Sequence, residues 1–349
     1  MTTLSQIARE AGVTEMTVSN VLNGKNKENR PSSLKRGSEI RTIAARLGYR
    51  PNAAARAVAS GKFGAYGLLI SNEPMRGTVF SGTWRGLFTA LDARGLRLVV
   101  GDVDATRFAE KGYVPRLLSE WSVDGLIVNY TSDIPDTVRE RIVAERLPTV
   151  FTNICLDADC VYPDDEGAAR QATEYLLSLG HTRIAYADFL GDHLFAHYSH
   201  LARRAGYEAA MRNAGLAPRL LTAPDPPDPA AAPSFLRLPL AAAVLDKPAN
   251  ERPTSIFTYG IHDTLPLLYA AAARGIRVPG DLSLIGVYDE PVEYPGVRVS
   301  AMLIPSVALG ETAVAMLDRK IASGGSPQAP CAIPFRLDIG DTCAPSRSL

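Results

Sequence analysis

The sequence predicts a small all-α head followed by a larger α/β body with parallel sheets. Two observations predict it. The 349 residues carry no net charge, yet residues 1–62 hold eleven Lys and Arg against four Asp and Glu. That leaves +7 on the first stretch and −7 on the remainder. The apolar pattern also changes, from helical spacing as far as Leu47 to short apolar runs alternating with helical stretches from Tyr66 onward. A basic module on an acidic body is the arrangement expected of a chain that meets nucleic acid. The charge taken alone would equally fit a solvated basic face.

The elements of the head follow in order. Thr3 and Gln6 have the spacing of a capping box, in which each side chain satisfies the other's free backbone N–H. Leu4, Ile7, Ala8 and Ala11 recur at helical spacing, and Gly12 ends that helix. Thr14 caps a second helix whose apolar face is Val18, Val21 and Leu22, leaving Glu15, Met16, Thr17, Ser19 and Asn20 directed elsewhere. A polar loop, "NGKNKENRPS", precedes a third helix that carries Ile40, Ile43, Ala44 and Leu47 inward and stops at Gly48. Helix, tight turn and helix at this length form a helix-turn-helix unit. In "YRPNAAARAVASG", Asn52 caps an Ala-rich helix running to about Ser60, with so little apolar face that it is expected to form only with a partner.

In the body, "YGLLIS", "LRLVVGD", "DGLIVNY", "TVFTN", "RIAYAD", "SIFTYG" and "LSLIGVYD" read as buried strands. Helical stretches such as "GTWRGLFTALDARG" and "GAARQATEYLLSLG" lie between them. About 280 residues is long for one sheet, so two similar lobes are expected. "APDPPDPAAAP" (223–233) reads as a Pro-rich surface excursion.

Composition excludes several classes. A 46% hydrophobic and 21% charged chain is ordinary for a globular protein. No apolar run approaches the ~20 residues of a membrane helix. Arg9 and Glu10 interrupt any signal-like start, so a cytoplasmic location without membrane association is expected. Cys155, Cys160, Cys331 and Cys343 form no CxxC pair and read as reduced thiols. The chain lacks the GxxxxGK[ST], GxSxG and GxGxxG patterns, so no enzyme activity, catalytic residue or cofactor is assigned.

The motifs "TLSQIAREAGVTEMTVSNVLNG", "LGYRPNAAARAVASG", "DDEGAARQATEYLLSLGHTRIAY", "RRAGYEAAMRNAGL" and "ARGIRVPGDLSLIG", in this order, resemble those of the LacI/GalR (lactose-repressor/galactose-repressor) family of bacterial transcription factors. The resemblance covers essentially the whole chain. It implies a helix-turn-helix DNA-binding domain at 1–50, a hinge helix and linker at 51–63, and a two-lobed periplasmic-binding-protein-like core at 64–349. Lobe 1 is expected at about 64–162 and 291–320, lobe 2 at about 163–290 and 321–349. It further implies a homodimeric repressor bound to a near-palindromic double-stranded operator. A small effector, carbohydrate or related, sits between the lobes and alters the spacing of the two heads.

By the family pattern, Glu15, Met16 and Asn20 face base edges: a carboxylate accepts from cytosine N4, an amide pairs with adenine, and a thioether touches a thymine methyl. Thr14, Thr17, Ser19 and Asn23 bond phosphates. Lys25, Lys27 and Arg30 add charge to the backbone contacts. Asn20 departs from the family, which commonly has arginine there. In the hinge, Asn52 and Val58 meet the minor groove, with Val58 at the position of the family's intercalating leucine.

The effector contacts implied are Ser71, Phe80, Asn153, His197, Arg203, His262 and Asp289, with Ser81 beside Phe80. Arg203 occupies the ligand-clamping position, where a guanidinium holds hydroxyls or a carboxylate. The family's usual Asn-Asp is replaced by Gly260-Ile261, with His262 and Asp263 beyond, and "GVYDE" leaves Asp289 as the surviving carboxylate. His193, His197 and His200 have spacings of four and three that suit metal ligands. Because the family places a pocket-side loop there, ligand contact or a plain polar loop is expected and no metal is assigned. Two alternatives remain: a regulator whose altered pocket answers to a protein partner or to no ligand, and a cytoplasmic sugar-binding protein or enzyme, in which the head would go unexplained.

Overall fold

The computed structural model describes residues 2–24, 30–72, 78–104, 107, 115–120, 122–130, 134, 136–189, 197–222, 237–294 and 296–346. Lys25, Lys27, His193 and the Pro-rich stretch 223–233 lie outside them. The chain divides into two compact units, residues 1–63 and 64–349.

The first unit is helical: α1 (Leu4–Ala11), α2 (Glu15–Leu22), α3 (Pro31–Arg46) and α4 (Ala53–Ser60). The capping box forms, with Thr3 N–H donating to Gln6 Oε1 at 2.9 Å and Gln6 N–H to Thr3 Oγ1 at 3.3 Å. Replacing Thr3 by Ala removes one of these bonds and is expected to cost the head about 1 kcal/mol. Faster hydrogen exchange confined to the α1 amides of the full chain would register that loss. Gly12 closes α1 at φ 64°, a left-handed geometry that a side chain resists. Ile7, Ala8, Val18, Val21, Ile40, Ile43 and Ala44 then pack into one core.

Two expectations are corrected here. The third helix begins at Pro31, two residues inside the expected loop, because proline's fixed φ suits the first helical position. Ser33 Oγ also accepts the Arg30 N–H at 3.2 Å there. The Ala-rich segment is already helical in the single chain. Asn52 Oδ1 accepts from Ala55 N–H at 3.2 Å, and alanine is the strongest helix former.

The second unit holds two six-stranded sheets among the described residues. The first contains β1 (Ala65–Ser71), β2 (Arg97–Val103), β3 (Gly125–Asn129), β4 (Thr149–Thr152), β5 (Cys160–Pro163) and β13 (Cys331–Ile333), in the order β13-β5-β4-β3-β1-β2. The second contains β6 (Ile184–Ala187), β7 (Leu220–Leu221), β8 (Ser255–Thr258), β9 (Ser283–Tyr288), β12 (Ser300–Leu303) and β14 (Arg336–Asp338), in the order β14-β12-β9-β8-β6-β7. All pairings within these sheets are parallel except β12 with β14. A small antiparallel pair, β10 (Glu293–Tyr294) and β11 (Val297–Arg298), stands apart.

Each sheet is covered on both faces, as the continuous apolar runs require. Leu126 and Val128 of β3 enter one cluster and Ile127 the opposite one, the two-residue alternation of a strand. Ile184 and Tyr186 of β6 are separated from Ala185 and Ala187 in the same way.

The lobe assignment from sequence needs correction at two places. Residues 300–303 form β12, which pairs with β9 in the second sheet, although the sequence places about 291–320 in lobe 1. Residues 331–333 form β13, which pairs with β5 in the first sheet, although the sequence places about 321–349 in lobe 2. Helix α12 (Ser306–Ala322) does lie in lobe 1, against α5 (Ser81–Asp92). The two helices approach so closely that a Cβ on Gly86 would meet Val307 O at 2.1 Å. The chain therefore crosses between lobes near residues 164, 305 and 334.

Candidate functional site

In the head, helical geometry sorts the polar residues of α2. Val18 and Val21 turn into the core, and the rows Glu15–Ser19–Asn23 and Met16–Asn20 are left outward at four-residue spacing. Met16 is 70% exposed on this outward face. Glu15, Thr14 and Asn23 are exposed; Thr17, Ser19 and Asn20 are half-buried. Thr14 Oγ1 accepts the Thr17 N–H at 3.2 Å and lies 2.9 Å from Thr17 Oγ1, while Asn23 Nδ2–H donates to Ser19 Oγ. A short, polar, rigid helix face is thus presented on a basic unit. In α4, Asn52 serves as the cap and Val58 is 89% exposed.

In the body, the polar residues gather where strands end. Both sheets change direction of winding at their central strands, between β1 and β3 and between β6 and β8. Crevices outside the carboxyl ends of strands at such points are where α/β sheets bind ligands. Ser71 and Asn129 end β1 and β3; Asp188 and Tyr259 follow β6 and β8. Ser71 is buried and Phe80 half-buried at the N-cap of α5.

Asn153 and His197 meet across the lobes. Asn153 adopts φ 60°, which aims its carbonyl at His197 Nε2, 2.9 Å away. His197 Nδ1 lies 2.7 Å from Ser199 Oγ, which lies 2.8 Å from the Tyr259 hydroxyl. Burial holds His197 below the usual histidine range. The tautomer with its proton on Nε2 satisfies every member: Tyr259 O–H donates to Ser199, Ser199 O–H to His197 Nδ1, and His197 Nε2–H to Asn153 O. This chain joins lobe 1 backbone to a lobe 2 aromatic ring. Further contacts bridge the lobes: Tyr198 O–H donates to Pro163 O at 2.9 Å, and Ser81 O–H lies 2.8 Å from Glu290 Oε1 and 3.3 Å from Asp289 Oδ2.

Arg203 of α9 (Tyr198–Asn213) is 7% exposed and held by Asp165 and Tyr259. Its Nε–H donates to Asp165 Oδ1 at 2.6 Å, its Nη1–H to Tyr259 O at 2.5 Å, and its guanidinium lies 4.4 Å over the Tyr259 ring. The His200 imidazole stacks on Tyr259 at 4.0 Å, while its Nδ1 lies 2.7 Å from Asp188 Oδ2.

His262 is exposed at the start of α11 (Ile261–Ala273), and its neighbour Asp263 is the inward-facing group. Asp263 accepts from Arg237 Nε–H at 3.2 Å and from the Phe189 N–H at 3.4 Å. Burial, and next the Asp188 charge, push its carboxyl up to about 7 despite Arg237. In the unfolded chain an aspartate ionises near ~3.9. The native state thus binds the proton more tightly, so this contribution to stability is complete below about pH 4 and lost as pH rises through about 7. Asp263→Asn, which cannot ionise, is expected to flatten the fall in thermal midpoint across that window. A variant curve parallel to the parent's would contradict it.

The comparisons with known proteins agree with this architecture. Residues 3–52 match the model of bacterial regulatory proteins of the lacI family. Residues 70–228 match periplasmic binding proteins and the sugar-binding domain of the LacI family, and 173–343 a periplasmic-binding-protein-like domain. The chain belongs to the LacI/GalR family. It is 27% identical to the HTH-type transcriptional regulator GntR of Escherichia coli (strain K12), over 99% of this chain and 98% of that protein. It is 28% identical to catabolite control protein A of Priestia megaterium, over 87% and 86%. Its fold is similar to that of the lac repressor dimer bound to operator and the anti-inducer ONPF, with TM-score 0.73, 21% identity and coverage of 98% and 99%. It is also similar to the CelR–cellobiose complex, with TM-score 0.62, 21% identity and coverage of 98% and 100%.

As a LacI/GalR member the chain is a DNA-binding transcriptional regulator. No helix among the described residues is long and apolar enough to cross a membrane. Both ring nitrogens of His197 face Ser199 and Asn153, and Nδ1 of His200 faces Asp188; no three His, Cys, Asp or Glu among the described residues are grouped to hold a metal ion. Sequence reasoning missed Asp165, Asp188, Tyr259 and Asn129 as members of the cleft. One signal was available: Asp188 and Tyr259 each follow directly on a buried strand.

Proposed function

We propose that the chain is a repressor that reads a near-palindromic operator as a homodimer and whose operator affinity is set by a small hydroxylated effector, carbohydrate or related, held between the lobes. The observation that carries the DNA side of this reading is the outward α2 surface, where Met16 and Asn20 stand above a core formed by Val18 and Val21. Glu15, Met16 and Asn20 then take the base edges, Thr14, Thr17, Ser19 and Asn23 the phosphates, and Asn52 and Val58 the minor groove. The cleft reading is supported by the polar residues collected at both switch points and by the Asn153–His197 bridge between them. A ligand that alters this bridge shifts the balance between open and closed lobes, which is what coupling to a second site requires.

The test is selection of genomic fragments by the purified chain at one stated salt concentration, since affinity without it is uninterpretable. Recovery of a single motif with two-fold symmetry supports the proposal. Fragments sharing no motif would mean backbone binding only and would overturn it.

A further inference from the structure

The guanidinium groups at the cleft edge of the second sheet already face carboxylates. Arg203 donates to Asp165 and Arg237 to Asp263. The carboxylates do not come out even. Asp188 has His200, but Asp289 has only the Ser81 hydroxyl, 3.3 Å from its Oδ2, among the described residues. Asp289 Oδ1 is buried without a hydrogen-bond partner among those residues. So is Nε2 of His200, a side chain only 6% exposed. A carboxylate oxygen only accepts, and the imidazole tautomer that gives its Nδ1 proton to Asp188 presents Nε2 as an acceptor as well. Buried polar atoms left without partners call for a ligand, water or ion.

Both acceptors belong to the carboxyl-end side of the second sheet. The His200 ring stacks on Tyr259, which follows β8, and Asp289 follows the neighbouring strand β9. An anionic ligand would meet arginines that each already face a carboxylate.

We propose that the effector is a hydroxylated amine, an amino sugar or a related aminated polyol, whose ammonium pairs with Asp289 and whose hydroxyl donates to His200 Nε2. This rests on reading the cleft as the effector site.

The experiment is calorimetric and thermal-shift titration of the full chain with four matched sets of probes: hexosamines, neutral hexoses, hexonates and hexose phosphates. At least one hexosamine is expected to bind roughly 10- to 100-fold more tightly than its matched hexose, the range of a hydrogen bond to a charged group. Asp289→Asn should abolish that advantage, whereas His200→Phe, which keeps the stack on Tyr259, should weaken amine and neutral sugar together. A hexosamine no tighter than its hexose overturns the ammonium assignment. Tighter binding of a hexonate or hexose phosphate overturns the inference and leaves the effector reading standing. No binding by any set overturns the effector reading and the inference with it.

Discussion

Arg203→Leu destabilises the body by about 3–5 kcal/mol, the cost of leaving a buried charge without its partner. The substitution strands Asp165, whose side chain is 1% exposed, and removes the donor to the Tyr259 carbonyl. Burial acts against the guanidinium charge, but Asp165, followed by Tyr259 and Tyr186, more than reverses this, so the arginine is charged throughout the working pH range. The same change loosens Tyr259, which ends the hydrogen-bond chain reaching Asn153 in the other lobe. Denaturant unfolding of the variant measures the loss. Adding Asp165→Leu should recover part of it, because an apolar pair leaves no charge uncompensated. A loss below about 1 kcal/mol in the single variant would show that the pair is solvated, contrary to the geometry.

On the proposed register, Asn20→Ala is expected to lower operator affinity by roughly 2–6 kcal/mol, since a lost base contact costs about 1–3 kcal/mol and a two-fold dimer loses it in both half-sites. The variant's selected motif should relax at one base pair and at its symmetry mate while the other positions persist. Asn23→Ala makes the contrasting case. As a phosphate contact it should weaken all sequences alike and reduce the salt dependence by about one unit per contact. Were Asn20→Ala to weaken all sequences uniformly, Asn20 would be a phosphate contact and α2 would be rotated from the proposed register.

The head could be read in detail because its information is local. The Thr3–Gln6 box, Gly12, the Thr14 cap and the Val18–Val21 face each lie within a few residues of their partners, and local spacing decides them. The seven strands read from continuous apolar runs all appear, for the same reason. Cys160–Pro163, Ser300–Leu303, Cys331–Ile333 and Arg336–Asp338 were not read as strands. Their identity as strands comes from the neighbours that hydrogen-bond them. Without those pairings the lobe boundaries at 291 and 321 had nothing to rest on.

The cleft divides along the same line. Residue types at strand ends and family motifs pointed to Asn153, His197, Arg203 and Asp289, so the chain's own order of residues was enough to place chemistry near a ligand. Which of those groups are already engaged was a tertiary matter. Arg203 meets an aspartate 38 positions away and a carbonyl 56 positions away, and His197 meets a carbonyl 44 positions away. Contacts at that separation carry no periodic trace in a sequence. They exist only once packed sheets bring the strand ends together and exclude the water that would otherwise have served each polar group.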